Sequence, residues 1–153
     1  MSERRPARGV RARSRARKLA MQALYQWQMT GQSAAEITRQ FAEDEQAAGA
    51  KDEYFRELVS AVVAGHEELD RLLAKHVDRP LTQLDPVEHA ILLMGLYELE
   101  RRLEVPYRVV INEAVELARR FGATDGYKYV NAVLDRAARD LRPAEREMAG
   151  SGG

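Results

Sequence analysis

The 153-residue chain contains no cysteine. That removes disulfides, thiolate nucleophiles and thiolate metal sites, and it fits a reducing compartment. No apolar run approaches the roughly 18 residues of a membrane span. The longest, Ala90 to Tyr97, has the length of a core helix segment. A secretory apolar region is not expected either, because Leu19-Ala20-Met21 is broken by Gln22. The Arg-rich, acid-poor start also has the composition of a mitochondrial transit peptide, but its apolar stripe continues into what reads as core. No segment alternates polar and apolar residues for long enough to be a strand, and there is no internal repeat. There is no GxSxG, no HExxH and no glycine-rich phosphate loop. No catalytic residue, cofactor or metal is therefore expected. Of the three histidines, His66 and His76 lie on one helical seam and read as semi-buried bundle residues. His89 receives no role.

What the chain does have is a split of charge. Residues 1–18 hold Arg4, Arg5, Arg8, Arg11, Arg13, Arg15, Arg17 and Lys18 against Glu3 alone, so they are formally +7. The whole chain is neutral, so residues 19–153 are formally −7. An arginine-dense end on an acidic body points to a polyanionic partner. RNA or DNA is the favoured one. An anionic membrane is disfavoured because no large apolar residues sit among the arginines, and a solubilising tail is the plain alternative.

Helical periodicity organises the rest. Residues 1–12 read as a disordered basic tail and 13–143 as one helical domain. Residues 144–153 read as a flexible tail. A first helix is expected over about 14–30, with Ala16, Leu19, Ala20, Ala23, Leu24 and Trp27 in a stripe. Gly31 stops it. Ser33 and Glu36 form a capping box for a second helix, which turns Ile37 and Phe41 inward and closes at Gly49. A third is expected over 52–75. Asp85-Pro86-Val87-Glu88 opens a fourth, apolar nearly all round and so central. A fifth runs over about 108–121, and a sixth follows Thr124-Asp125-Gly126 to Leu141, with Asp125 as its cap.

Some of these residues suit nucleic acid. Arg13 and Arg17, four apart, share a helix face, with Arg15 and Lys18 beside the stripe; ordered on a helix they present fixed cations to phosphates. Tyr129 lies off the Val130/Val133/Leu134/Ala137 stripe, beside Lys128 and within two turns of Arg136. An aromatic in that setting can stack on an unpaired base, worth about 1–3 kcal/mol. Phe121 suits either a second stacking surface or the core. The charge of Asp125 would weaken or tune RNA affinity.

Five stretches taken in order resemble the NusB family of transcription antitermination factors. They are RSRARKLAMQALYQWQ from Arg13, YFREL from Tyr54, VEHAILLMGLYEL from Val87, VPYRVVINEAVELARRFG from Val105 and KYVNAVLD from Lys128. The resemblance covers about residues 11–143. It implies an all-α fold of two three-helix sub-bundles packed together. It also implies that, with the small-subunit ribosomal protein NusE, the chain binds boxA RNA in nascent ribosomal RNA leaders. There it would help RNA polymerase, with other Nus factors, to resist termination in the bacterial cytoplasm. On this resemblance Arg13, Arg15 and Arg17 form the RNA surface, joined by Tyr129, Phe121 and Asp125, and Glu88 faces NusE. The Leu81–Leu84 loop offers that partner no acid. The family also implies pairing through helices, so a homodimer covering the RNA surface is one further expectation. A similar helical domain precedes the catalytic one in RNA cytosine methyltransferases. That makes a related stand-alone RNA-binding module the alternative reading, since this chain has no cysteine nucleophile.

Overall fold

The structure is a computed structural model that describes residues 4–47 and 49–151, with side chains over 9–47 and 49–148. Every regular element among the described residues is helical. The chain divides into two compact units, residues 1–64 and 65–153.

The first unit holds α1 (Arg4–Thr30), α2 (Ala34–Glu43) and α3 (Glu53–Ala64). Its boundaries follow local chemistry. Gly31 adopts a left-handed φ of 71°, and its N–H closes on the Trp27 carbonyl at 2.9 Å. Ser33 Oγ accepts from Glu36 N at 3.1 Å, the capping contact the sequence predicts. Asp52 Oδ1 accepts from Tyr54 N at 2.8 Å and opens α3. Ala16, Leu19, Ala20, Ala23 and Leu24 of α1 are buried, as are Tyr54, Phe55, Leu58, Val59 and Val62 of α3. Phe41 is half-buried, with its ring 5.6 Å from that of Phe55.

The second unit holds α4 (His66–Ala74), a single 3₁₀ turn (Leu81–Gln83), α5 (Pro86–Arg101), α6 (Tyr107–Phe121), α7 (Gly126–Leu141) and α8 (Pro143–Ser151). Helix α5 lies against α4, α6 and α7, and α6 and α7 also pack on each other. Helices α5, α6 and α7 thus form a mutually packed three-helix core of the unit, with α4 against α5. Residues Ala90 to Leu96 are all buried, which accounts for a helix apolar on every side. Asp85 Oδ1 accepts from both Val87 N (2.9 Å) and Glu88 N (3.1 Å), so the expected cap forms. Helices α5 and α7 approach closely at Gly95, where a Cβ would stand 2.9 Å from Leu134 Cδ1.

Several sequence expectations are corrected. Helix α1 begins at Arg4 rather than near Ser14, so helix occupies residues expected in a disordered tail; residues 1–3 of that tail lie outside the described residues. Helix α2 ends at Glu43, well before Gly49. The single helix expected over 52–75 is two, broken at Gly65 (φ −104°, ψ 15°). Glycine is a poor helix former, yet the apolar seam stays in phase across it, which hid the break. Residues 144–151, expected in a flexible tail, belong to α8, which begins at Pro143 because proline suits a first helical turn. Residues 152–153 lie outside the described residues.

Arg142 ties α8 back to the core. It is 5% exposed. Its guanidinium donates to the carbonyls of Leu99 (2.8 Å), Val105 (3.0 Å), Glu98 (3.2 Å) and Arg102 (2.9 Å), and to Glu145 Oε1 (2.6 Å). Those carbonyls include the unpaired ends of α5. Glu145 in turn accepts the first N–H of α6, that of Tyr107, at 2.8 Å. Arg142→Ala strips the Leu99 and Val105 carbonyls and the Glu145 carboxylate of a donor, while the carbonyls of Glu98 and Arg102 keep the N–H groups of Arg102 and Val105. It is expected to lower unfolding free energy by about 3–5 kcal/mol in urea titrations. A loss below about 1 kcal/mol would contradict this role.

Candidate nucleic-acid interface

On α1 the four expected cations divide into two pairs. Arg13 is half-buried, with its guanidinium carbon 3.8 Å above the Tyr54 ring centroid. Arg17 lies 5.7 Å from the same centroid and is only 4% exposed. Both spend part of their charge on a buried ring. Arg15 is exposed and Lys18 half-buried, and they line one groove with Gln22, Phe41 and Gln46. The helical spacing shared by Arg13 and Arg17 thus turns them towards α3, and Arg15 and Lys18 form the outward pair. Arg17, expected on the RNA surface, is instead buried.

In the second unit the candidate residues gather at the turn between α6 and α7. Glu88, in the first turn of α5, is buried, and its Oε2 accepts from Ala123 N at 2.9 Å. The backbone crowds this carboxylate. A Cβ at Gly126 would stand 2.3 Å from Oε2, and one at Gly122 would stand 3.1 Å from it. The outward docking acid expected at Glu88 is therefore an inward one, whose charge lies beside the N-terminus of α7. Negative charge is favoured there. Asp125 occupies the cap position of α7 in a left-handed conformation (φ 64°, ψ 5°), but its side chain makes no capping bond. It stands 3.6 Å from Lys128 instead, with both side chains exposed. Asp125 is thus the expected cap by position but without the side-chain bond, and the Glu88 carboxylate approaches the turn from a neighbouring helix.

Around this turn cations and rings alternate. Arg120 lies 5.0 Å from the half-buried Phe121 ring, Arg119 lies 4.5 Å from Tyr127, and Arg79 lies 4.3 Å from Tyr129. The Tyr129 hydroxyl donates to Asp78 Oδ1 at 3.2 Å. Its phenol is pushed above the usual value, first by desolvation and further by the Asp78 carboxylate. The Asp78 carboxyl is held below its usual value by the hydrogen bond from Arg79 first, with the Tyr129 hydroxyl adding. At neutral pH the pair is therefore a phenol donor on an ionised carboxylate. Arg136, one of the cations expected near Tyr129, is turned away and donates to the His76 carbonyl at 3.2 and 2.7 Å.

Sequence reasoning groups Phe121, Asp125, Lys128 and Tyr129; they fall at the end of α6, on the turn and in the first turn of α7, and Asp125 and Lys128 stand 3.6 Å apart. It missed Arg119, Arg120 and Tyr127, whose signal was their adjacency to Phe121 and Lys128. It also missed Asp78 and Arg79, which reach Tyr129 from another part of the chain. His89, given no role, bonds Asp70 at 2.7 Å and joins α5 to α4. Among the described residues, no group of three or more histidines and carboxylates could hold a metal ion.

The crowding at Glu88 is directly testable. Gly126→Ala is expected to cost about 1–3 kcal/mol of stability through overpacking. Adding Glu88→Ala should recover much of that loss, because it removes the atom that the new methyl meets. Simple additivity of the two losses in thermal unfolding would contradict the arrangement.

Comparison with known proteins gives a consistent result. The model of the NusB family matches residues 14–139. The Transcription antitermination protein NusB of Hahella chejuensis is 50% identical over 145 residues, which is 95% of this chain and 97% of that protein. That of Halorhodospira halophila is 57% identical over 139 residues, covering 88% of this chain and 87% of its own length. Among solved structures, T. maritima NusB aligns with a TM-score of 0.75 at 26% identity, covering 88% of this chain and 96% of that one. A crystal structure of antitermination factors NusB and NusE in complex with dsRNA aligns with a TM-score of 0.70 at 27% identity, over 85% and 98% of the two chains.

Proposed function

The chain belongs to the NusB family, and from that premise we propose that it is a non-enzymatic, RNA-binding transcription antitermination factor that acts with NusE. The observation that carries the reading is the alternation of exposed cations with aromatic rings at the α6–α7 turn. Cations hold phosphates without regard to sequence, and rings accept bases. Arg15 and Lys18 of α1 add a second basic surface, with Arg13 and Arg17 steadied on Tyr54 behind them. The RNA is boxA of nascent ribosomal RNA leaders, bound as an unpaired stretch. Only an unstacked base offers a free face to Tyr129 or Phe121. NusE, a ribosomal protein, meets the acidic balance of residues 19–153. Glu88 supports docking from inside, by fixing the turn on which Asp125 and Lys128 stand. The complex serves RNA polymerase with other Nus factors in the bacterial cytoplasm, and a homodimer that covers the RNA surface would be its resting form. No helix among the described residues is long and apolar enough to cross a membrane.

Fluorescence anisotropy of a labelled boxA-type RNA, with and without NusE and against a scrambled RNA, tests the reading. Tighter binding to boxA, strengthened by NusE, is expected. Replacing Arg15 and Lys18 together by Ala should reduce the magnitude of the log–log salt slope by about 1.4, at roughly 0.7 for each phosphate contact on a single strand. Equal binding to both RNAs, indifferent to NusE, would contradict the reading.

A further inference from the structure

The segment between α4 and the 3₁₀ turn belongs to no element, yet it is firmly placed. Arg136 of α7 grips the His76 carbonyl with two donors, at 3.2 and 2.7 Å. The residues that follow are thereby laid along α7 and reach Tyr129. Asp78 accepts the Tyr129 hydroxyl at 3.2 Å, and Arg79 Nε donates to the same Asp78 oxygen at 3.2 Å. The Arg79 guanidinium carbon stands 4.3 Å from the ring centroid. One face of the ring proposed to stack on a base is therefore covered in the free protein. The cover is light. Asp78 and Arg79 are both exposed, and an ion pair between exposed sequence neighbours holds weakly. A base stacked on an aromatic ring gains more than an exposed guanidinium does there.

We propose that Arg79 is an RNA-binding residue, a lid that yields the Tyr129 ring to an unpaired base and then closes on that base's other face. A guanidinium is planar and stacks on bases as readily as on rings. Asp78 holds the lid on the ring until RNA arrives, and Arg136 fixes the strap that carries both. The slot between Arg79 and Tyr129 takes one base, and its ligand class is single-stranded RNA.

The inference rests on the RNA-binding reading above, and a double-mutant cycle separates the two. Full-length wild type, Arg79→Ala, Tyr129→Ala and the double variant are titrated with boxA-type and scrambled RNA, and circular dichroism confirms the fold of each. Arg79→Ala should weaken boxA binding about fivefold, the order of one exposed cation–aromatic contact. The double variant should bind little worse than Tyr129→Ala alone, because the lid acts through the ring. Arg79→Lys should not restore affinity, since an ammonium keeps the charge and loses the plane. Unchanged or tighter binding by Arg79→Ala, full rescue by lysine, or additive losses would overturn the lid. If wild type itself fails to prefer boxA to the scramble, the RNA reading falls and the lid with it.

Discussion

A helical stretch that is apolar on every side has to be buried all round, and residues Ala90 to Leu96 of α5 impose that requirement on the second unit. Its flanks are met by α4, α6 and α7. Its ends are harder to satisfy, because backbone groups there have no partners within the helix. At the C-terminal end Arg142 collects the carbonyls of Glu98, Leu99 and Arg102, which requires α8 to begin where it does. At the N-terminal end Asp85 caps two amides, and Glu88 turns its carboxylate inward to the Ala123 N–H. The α6–α7 turn is thus fixed by the packing needs of the central helix, and the side chains proposed to meet RNA stand on that turn.

Pairing a guanidinium with a ring recurs in both units: Arg13 and Arg17 on Tyr54, Arg79 on Tyr129, Arg119 on Tyr127 and Arg120 on Phe121. Each pairing limits the freedom of a long cationic side chain before any ligand arrives, which lowers the ordering cost of binding. Burial separates them by use. Arg17 is largely spent inside the first unit, whereas Arg15 keeps its charge for solvent or phosphate. Basic residues that read alike in the sequence therefore divide into scaffold and surface.

Much of this was legible in the sequence because it is local. Ser33 with Glu36, and Asp85 with Pro86 and Glu88, announce helix starts by chemistry contained within four residues. The stripes of α1, α6 and α7 follow from helical spacing alone. What was missed depends on distant partners or on competing local signals. The break at Gly65 lies within a seam that never loses phase. Pro143 follows the last residue of the α7 stripe and so reads as a stop, whereas it is also the first residue of α8, which the buried Arg142 holds in place. Asp125 has the residue type of a cap but a left-handed backbone, and Glu88 supplies the charge from another helix. Arg79 meets Tyr129 because Arg136 holds a carbonyl sixty residues away in the chain. No periodicity encodes that.

We propose that RNA is bound at the outward cations of α1 and where cations alternate with rings at the α6–α7 turn. Amide hydrogen exchange along the full chain, with and without a boxA-type RNA, tests it most directly. The account predicts slower exchange within residues 11–18 and 119–129 on binding, and no change at the carbonyl cluster around Arg142 and α8. Protection confined to the basic start of the chain, or appearing first around α8, would contradict it.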